Sequence, residues 1–532
     1  MSCENDLIIT MTKKMRKIFL EIYKRKRYFF IITILLLLSK YSLAEKGNFT
    51  LSKCLNLSLK RNANILLQKQ DVLISKSNIK ISQSKFDTNI NPSISYSHSE
   101  VPITPSTQEK RNISQAEVEI TKQLRTGISL KGGAQSSRIS EINSPVEPAV
   151  STVIYFTINV PLLEGLGKDV AAADELSAKS EFKASKLKLA HTVSETVYKT
   201  TQLYWDYLRN IKNLNEYKHS LNRTKILLQQ VKILIEKDLR PRSDIDQIIA
   251  SIANKNATVL NAEQQVIESR NALITYLGLD PKEFNIVSYP ATQFPQISNE
   301  DIVKLKSYIQ KMKNLALKYR FDYLALLQNE KTIKIQLKYA KNKLKNNLDL
   351  NFNVSYKRLD REQKVSGMWT GFWENRPGFN VDISLNYEWP IENSYAKGLV
   401  LKYLSLLHQN KINQQQLKRT IISNIETAIS DVENSYKSYI EALTSVKYYK
   451  TVIFNEKQKY KLGMSTIIDI INIEDKLTEA HLNEILAHYK LACAIAKLNK
   501  EIGKIVEANP EKEYFKINIK NLITLREITN GE

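Results

Sequence analysis

The sequence predicts a mainly α-helical chain with membrane β-strands, organised as two structural repeats. Three observations carry this. Long runs lack both proline and glycine, and Asp169–Glu236 extends 68 residues without either. Several segments of about ten residues alternate apolar and polar side chains, as membrane strands do. The same order of elements (helix, strands, long helix, tight turn, helix) occurs twice, over 45–280 and 300–505.

Residues 1–44 read as an export signal. Lys24-Arg25-Lys26-Arg27 precede the apolar run Tyr28–Leu38, and Ser42 and Ala44 set a small-x-small cleavage site after Ala44. That run is too short to cross a bilayer as a helix, which needs about 20 residues, and no later run is long enough. Any membrane crossing by the remainder must therefore use strands.

The helices follow. At 1.5 Å per residue the first long run would extend about 100 Å; Ala396–Tyr460 is similar, with one early glycine, Gly398. Tyr207, Leu214, Leu221, Leu228 and Ile235 step by seven, as do Ile245, Ile252, Val259, Val266 and Leu273. Ile422, Ile425, Ile429, Val432, Tyr436, Tyr439, Leu443 and Val446 step by three and four. A sustained seven-residue period predicts coiled-coil packing. The turns Lys237–Ser243 and Leu462–Thr466 are short, so each long helix pairs antiparallel with the helix after it.

The strands are clearest in the second repeat. Leu348, Leu350, Phe352, Val354 and Tyr356 alternate with polar residues, as do Phe379, Val381, Ile383, Leu385, Tyr387 and Trp389. In the first repeat Ile90, Ile94 and Tyr96, then Ile154, Phe156, Ile158 and Val160, behave alike. Leu350, Phe352, Val354, Val381, Ile383 and Leu385 are the expected lipid-facing residues; Tyr96, Tyr387 and Trp389 are candidates for an interfacial aromatic belt. Four strands cannot close a barrel, and an open edge is not tolerated in lipid, so several copies must contribute. The stretch Gln115–Ser137 reads as an extra strand-like insertion.

Matching points recur at ordered offsets. Asp244 and Asp469 are 225 residues apart, as are Gly278 and Gly503; Ser58-Leu59-Lys60 and Ala316-Leu317-Lys318 are 258 apart. Pro281, Pro290 and Pro295 mark 281–299 as a linker, and 506–532 as a mixed tail.

The formal net charge of +23 comes from dispersed lysines without a nucleic-acid-binding motif, so nucleic acid is not an expected partner. Cys3, Cys54 and Cys493 suggest neither a disulfide framework nor a metal site. The six histidines form no His-Glu-x-x-His, and Gly165-Leu166-Gly167-Lys168 lacks the spacing of a phosphate loop. No enzyme activity, metal or cofactor is expected.

Three motifs carry a family resemblance: Ser58-Leu59-x-x-Asn62, Pro161-Leu162-Leu163-x-Gly165-x-Gly167, and Tyr460-x-x-Gly463 followed by Asp469. Over about 50–505 the chain resembles the TolC family of outer-membrane efflux and secretion channel-tunnels. The resemblance implies a homotrimer with four strands per chain in a 12-stranded barrel, and a periplasmic α-barrel of long antiparallel helices. It also implies docking to a periplasmic adaptor and an inner-membrane transporter. The second turn would then be the periplasmic aperture. Asp469 matches an acidic aperture residue, Asn472 shares its helix face, and Ser465 stands where some members carry a basic residue; Tyr460 completes this set. Asp469 also suits an ordinary helix N-terminus. Asp244 is expected to be a cap residue, because the first hairpin would lie outside. The alternative to a channel is a periplasmic coiled-coil adaptor or scaffold, which would carry one hairpin or no barrel strands.

Overall fold

The computed structural model describes residues 49–104, 107–142, 149–360, 368, 372, 378–509 and 514–525. The expected export signal lies outside these residues. Capped helices come first. Thr50 caps α1 (Leu51–Arg61) by accepting from the Lys53 amide, and Asn62 caps α2 (Ala63–Gln83) through the Asn64 and Ile65 amides. The strands β1 (Thr88–Thr104), β2 (Thr107–Gln123), β3 (Ser129–Ile142) and β4 (Ala149–Pro161) follow. The long helix α3 (Ala173–Glu236) has 64 residues, so its axis is about 96 Å long. It returns as α4 (Ser243–Leu277).

The second half repeats this order. Two short helices, α5 (Asn299–Ser307) and α6 (Ile309–Tyr319), lead into α7 (Phe321–Asn342), then β5 (Asn347–Asp360) and β6 (Gly378–Glu388). The second long helix, α8 (Ser394–Lys461), has 68 residues and returns as α9 (Ile467–Ile502). The small hairpin β7 (Val506–Asn509) and β8 (Tyr514–Ile517) and a last turn, α10 (Ile519–Ile523), complete the described chain.

The helices lie side by side as four columns: α2 above α4, then α3, then α7 above α9, then α8. The stacking is enforced by backbone contact. Gly278 ends α4 with φ +70°, and a Cβ there would meet the Arg61 carbonyl oxygen at 2.6 Å. Gly503 ends α9 with φ +81°, and a Cβ there would meet Tyr319 backbone at 3.1 Å. Only glycine combines a left-handed cap with so close an approach. Asn62 then donates to the Tyr276 carbonyl at 2.7 Å, and buried Arg320 pairs with Glu501 and Asp322 across the second junction.

Around these junctions sits the main apolar core. Tyr204 and Trp205 are fully buried, their rings in edge contact with centroids 5.2 Å apart, and Tyr204 donates to the Phe49 carbonyl at 2.9 Å. Val506 and Leu522 of the tail join this core. Cys54 lies within it and Cys493 packs against it. Both are free thiols, and burial holds both protonated, pushing Cys493 up to about 12.

The heptad rows are buried in part on α4 and α8: Val259, Leu273, Ile425, Ile429, Val432 and Val446 are buried, Ile245, Ile252, Val266, Ile422, Tyr436 and Tyr439 are half-buried, and Leu443 is exposed. On α3 the Leu214, Leu221 and Leu228 row is only half-buried. The sealed seam is Ser220, Thr224, Leu227 and Val231. Because α3 is flanked by α4 and by α9, its buried arc is wide and the heptad row falls on one flank.

Candidate functional site

The sheet is antiparallel, with six strands in sequential order from β1 to β6 among the described residues. This corrects the expected four strands per chain. The extra strand-like stretch Gln115–Ser137 belongs to the hairpin β2–β3 inside the sheet.

Register shows which side chains share a face. Across the sheet, Ile94, Ala116, Ser136, Thr152 and Arg358 form one row by successive pairing. A neighbouring row runs Ile90, Ile120, Gly132, Phe156, Val354 and Val381. All lie on one side, which also carries Leu350, Phe352, Ile383 and Leu385. Side chains alternate across a strand, so the intervening positions fill the other side. There Asn159 bonds Asn351 at 2.7 Å, Thr157 bonds Asn353 at 2.9 Å, and Asn353 bonds Asp382 at 3.1 Å. Tyr155 donates to Glu117 and Glu119 at 2.8 and 3.1 Å, and Lys131 pairs with Glu119 at 2.5 Å. One face suits lipid and the other water. Tyr387 and Trp389 stand at the helix-side end of β6, and Tyr96 lies eight residues along β1; all three are more than half exposed.

The extra hairpin is fastened to the helices. Its turn forms Gly127 N–H to Leu124 O (3.0 Å), and Gly167 N–H donates to Thr126 O at 2.8 Å. A Cβ on Gly127 would lie 2.3 Å from the Gly165 carbonyl oxygen. Arg125 stacks on Phe86 and pairs with buried Glu175 at 2.6 Å. Burial would raise the Glu175 carboxyl, but hydrogen bonds from Arg125, Lys179 and Gln83 outweigh it and hold it at about 2.

At the opposite end, two hairpin tips meet side by side. Tyr460 of α8 donates to Asp244 of α4 at 2.8 Å. Arg240, in the first turn, stacks on the Tyr460 ring 4.0 Å from its centroid and donates to the Tyr460 carbonyl. Burial, then the Asp244 hydrogen bond, raises the Tyr460 hydroxyl, which stays a donor. Asp244 is not the cap residue the sequence suggests: Arg242 holds the N-cap position of α4 without a side-chain capping bond, and Asp244 is 8% exposed and tied to the neighbouring hairpin. A second tier lies above. Arg223 of α3 pairs with buried Glu474 of α9 at 2.9 Å and reaches Thr478 at 3.1 Å, while Lys457 of α8 meets Glu474 at 2.6 Å. Neither Arg240 nor this tier stands out in the sequence, since each depends on lateral contact between hairpins.

Asp469 is an exposed N-terminal acid of α9. It accepts from the Thr466 amide (3.0 Å) and hydroxyl (2.6 Å), and Thr466 in turn caps the Asp469 amide. These bonds hold its carboxyl below the usual range. Asn472 is exposed on the same face. Ser465 donates to Glu456 and lies 3.4 Å from Asp469. Within one chain these residues do not touch the Tyr460 cluster.

No family model matches the sequence, and no curated protein matches it. Solved structures do. The chain has the fold of bacterial outer-membrane channels. The Campylobacter jejuni CmeC outer membrane channel is 16% identical, with 89% of each chain covered and a TM-score of 0.62. VceC, an outer membrane protein of Vibrio cholerae, is 11% identical over 85% of this chain and 96% of its own, with a TM-score of 0.63. The open state of the Neisseria gonorrhoeae MtrE outer membrane channel is 14% identical over 85% and 88%, with a TM-score of 0.58.

Proposed function

We propose that this chain is the subunit of an outer-membrane export channel. Three copies would complete a β-barrel in the outer membrane and a helical duct through the periplasm. The duct would receive cargo from an inner-membrane transporter through a periplasmic adaptor, after export of the chain by residues 1–44. One observation carries the reading: a sheet with a largely apolar face whose edge strands, β1 and β6, each pair on one side only. Such edges cannot stay open in lipid. β1 and β6 run in opposite directions, so β6 of one copy can pair antiparallel with β1 of the next. Among the described residues no helix is long and apolar enough to cross a membrane.

The helical layer supports the same assembly. Its outer columns carry exposed apolar stripes: Leu67, Ile74 and Ile81 on α2, and Tyr448 and Val452 on α8. Each would find its partner on the next copy.

The hairpin tips would be the periplasmic gate, held shut by Tyr460, Asp244 and Arg240. Asp469 and Asn472 would ring the aperture, three carboxylates attracting cations. Cell fractionation tests the core claim. The protein should sit in the outer membrane as an oligomer whose gel mobility changes on heating; a soluble monomer needing no detergent would refute it. For the aperture, Asp469→Asn keeps the cap and removes the charge, so it should relieve block by multivalent cations in planar bilayers. Unchanged block would remove Asp469 from the gate.

A further inference from the structure

Six strands per copy set a width that four would not. Strands about 4.8 Å apart and tilted about 40° each occupy about 6.2 Å of circumference, so six take about 37 Å. Four helix columns about 9.5 Å apart take about 38 Å. The sheet and the helical layer of one copy are therefore equally wide. Four strands at the same tilt would take only about 25 Å.

The added hairpin is built into the wall. A hairpin is the smallest addition that leaves β1 and β6 antiparallel, so the ring can still close. Gly133 leaves room for Tyr155, whose hydroxyl oxygen would lie 2.7 Å from a Cβ there, and Gly132 faces Phe156. The apolar face continues through Val118, Ile120 and Leu130, with Lys122 beside Leu130 at the helix-side end and Ser136 beyond Ala134. The turn is bolted to the helices by Arg125–Glu175 and by the Gly127–Gly165 contact.

We propose that the assembled duct does not taper at the membrane: three copies close an eighteen-stranded barrel of the same girth as the helical ring, passing cargo two helices wide. This rests on the trimeric channel reading above. Eighteen such strands enclose about 36 Å between opposite backbones. Inward side chains occupy about 5 Å of each wall, half the spacing of packed sheets, leaving a bore of about 26 Å. Twelve strands would leave about 14 Å, enough for one helix of 10–12 Å but not two. The wall is lined by Asn, Ser, Thr and paired charges, which suits a hydrated polymer such as a polypeptide retaining helical structure.

Cryo-electron microscopy of the full-length purified oligomer gives the strand count directly. Eighteen strands in the ring is the expected result. Twelve, with β2–β3 folded away from the wall, overturns the proposal while leaving the channel reading intact; absence of any ring overturns both. A variant lacking residues 107–142 joins β1 to β4 with both apolar faces still aligned. Polyethylene glycols added from the extracellular side, which sample the barrel and not the distant tips, should show the variant's cross-section reduced about three-fold. An unchanged size cut-off would count against the wide barrel, and the strand count of the full chain stands whether or not the variant assembles.

Discussion

At the residue scale, the tip cluster is the sharpest feature, because one hydroxyl joins two hairpins. Tyr460→Phe removes the donor to Asp244 and leaves a buried carboxylate short of a partner, at a cost of about 1–3 kcal/mol. The tips should separate more readily, and single-channel recordings should show open time rising at least several-fold. Asp244→Ala should do the same, and the double variant should add little, since both act on one bond. Wild-type gating in both single variants would sink the clasp. A second residue, His488, is buried beside Phe294 and Tyr439 and bonds the Pro295 carbonyl at 3.0 Å. Burial lowers its pKa, and Lys212 opposes its charging while Glu484 favours it. The unfolded chain then binds a proton that the folded one refuses. Stability should be full above about pH 6.5 and fall below it, by at most about 1.4 kcal/mol per pH unit, until His488 itself charges. His488→Gln keeps a donor and should flatten that part of the pH profile of thermal unfolding; an identical profile would refute the assignment.

At the element scale, four strands and both long helices were legible because their patterns are local. The 3.5-residue and two-residue periods are set by each element's own geometry. The hairpin β2–β3 was only half-legible. On the apolar face β2 keeps Val118 and Ile120, but β3 shrinks to Gly132, Ala134 and Ser136, because Phe156 and Ile154 of β4 supply the volume from the adjacent strand. Apolar alternation there is a property of neighbouring strands together and cannot be read from one. Face assignment is testable on β6, where Ile383 and Ser384 are adjacent and point oppositely. Ile383→Lys puts a charge toward lipid and should cost about 2–4 kcal/mol, cutting the yield of assembled barrel. Ser384→Lys should assemble normally and shift the channel toward anions. Equal yields would mean the faces are misassigned. The helix junctions give a second test at this scale. Gly278→Ala meets the Arg61 carbonyl as well as left-handed strain, whereas Gly463→Ala meets nothing within 4 Å. Both should pay about 1–2 kcal/mol of strain, and only Gly278→Ala should lower the thermal midpoint further.

At the scale of the whole molecule, the sequence carried the repeat and the need for several copies, but not the lateral order of columns or the clasp between tips. Those depend on pairs such as Asp244 and Tyr460, 216 residues apart, with no local period to mark them. What one chain leaves unsatisfied points outward: two strand edges and two apolar helix stripes, on opposite flanks of the same layer. Leu67 and Ile74 are 65% and 59% exposed in the single chain, so charging them costs that chain little. In the assembly each would be worth about 1.5–3 kcal/mol once covered, and a closed ring meets the loss at every interface. Leu67→Glu with Ile74→Glu should therefore leave helix content unchanged by circular dichroism while abolishing the oligomer on native gels. A double variant that still assembles at wild-type yield would show that the α2 flank faces solvent and that the copies join elsewhere.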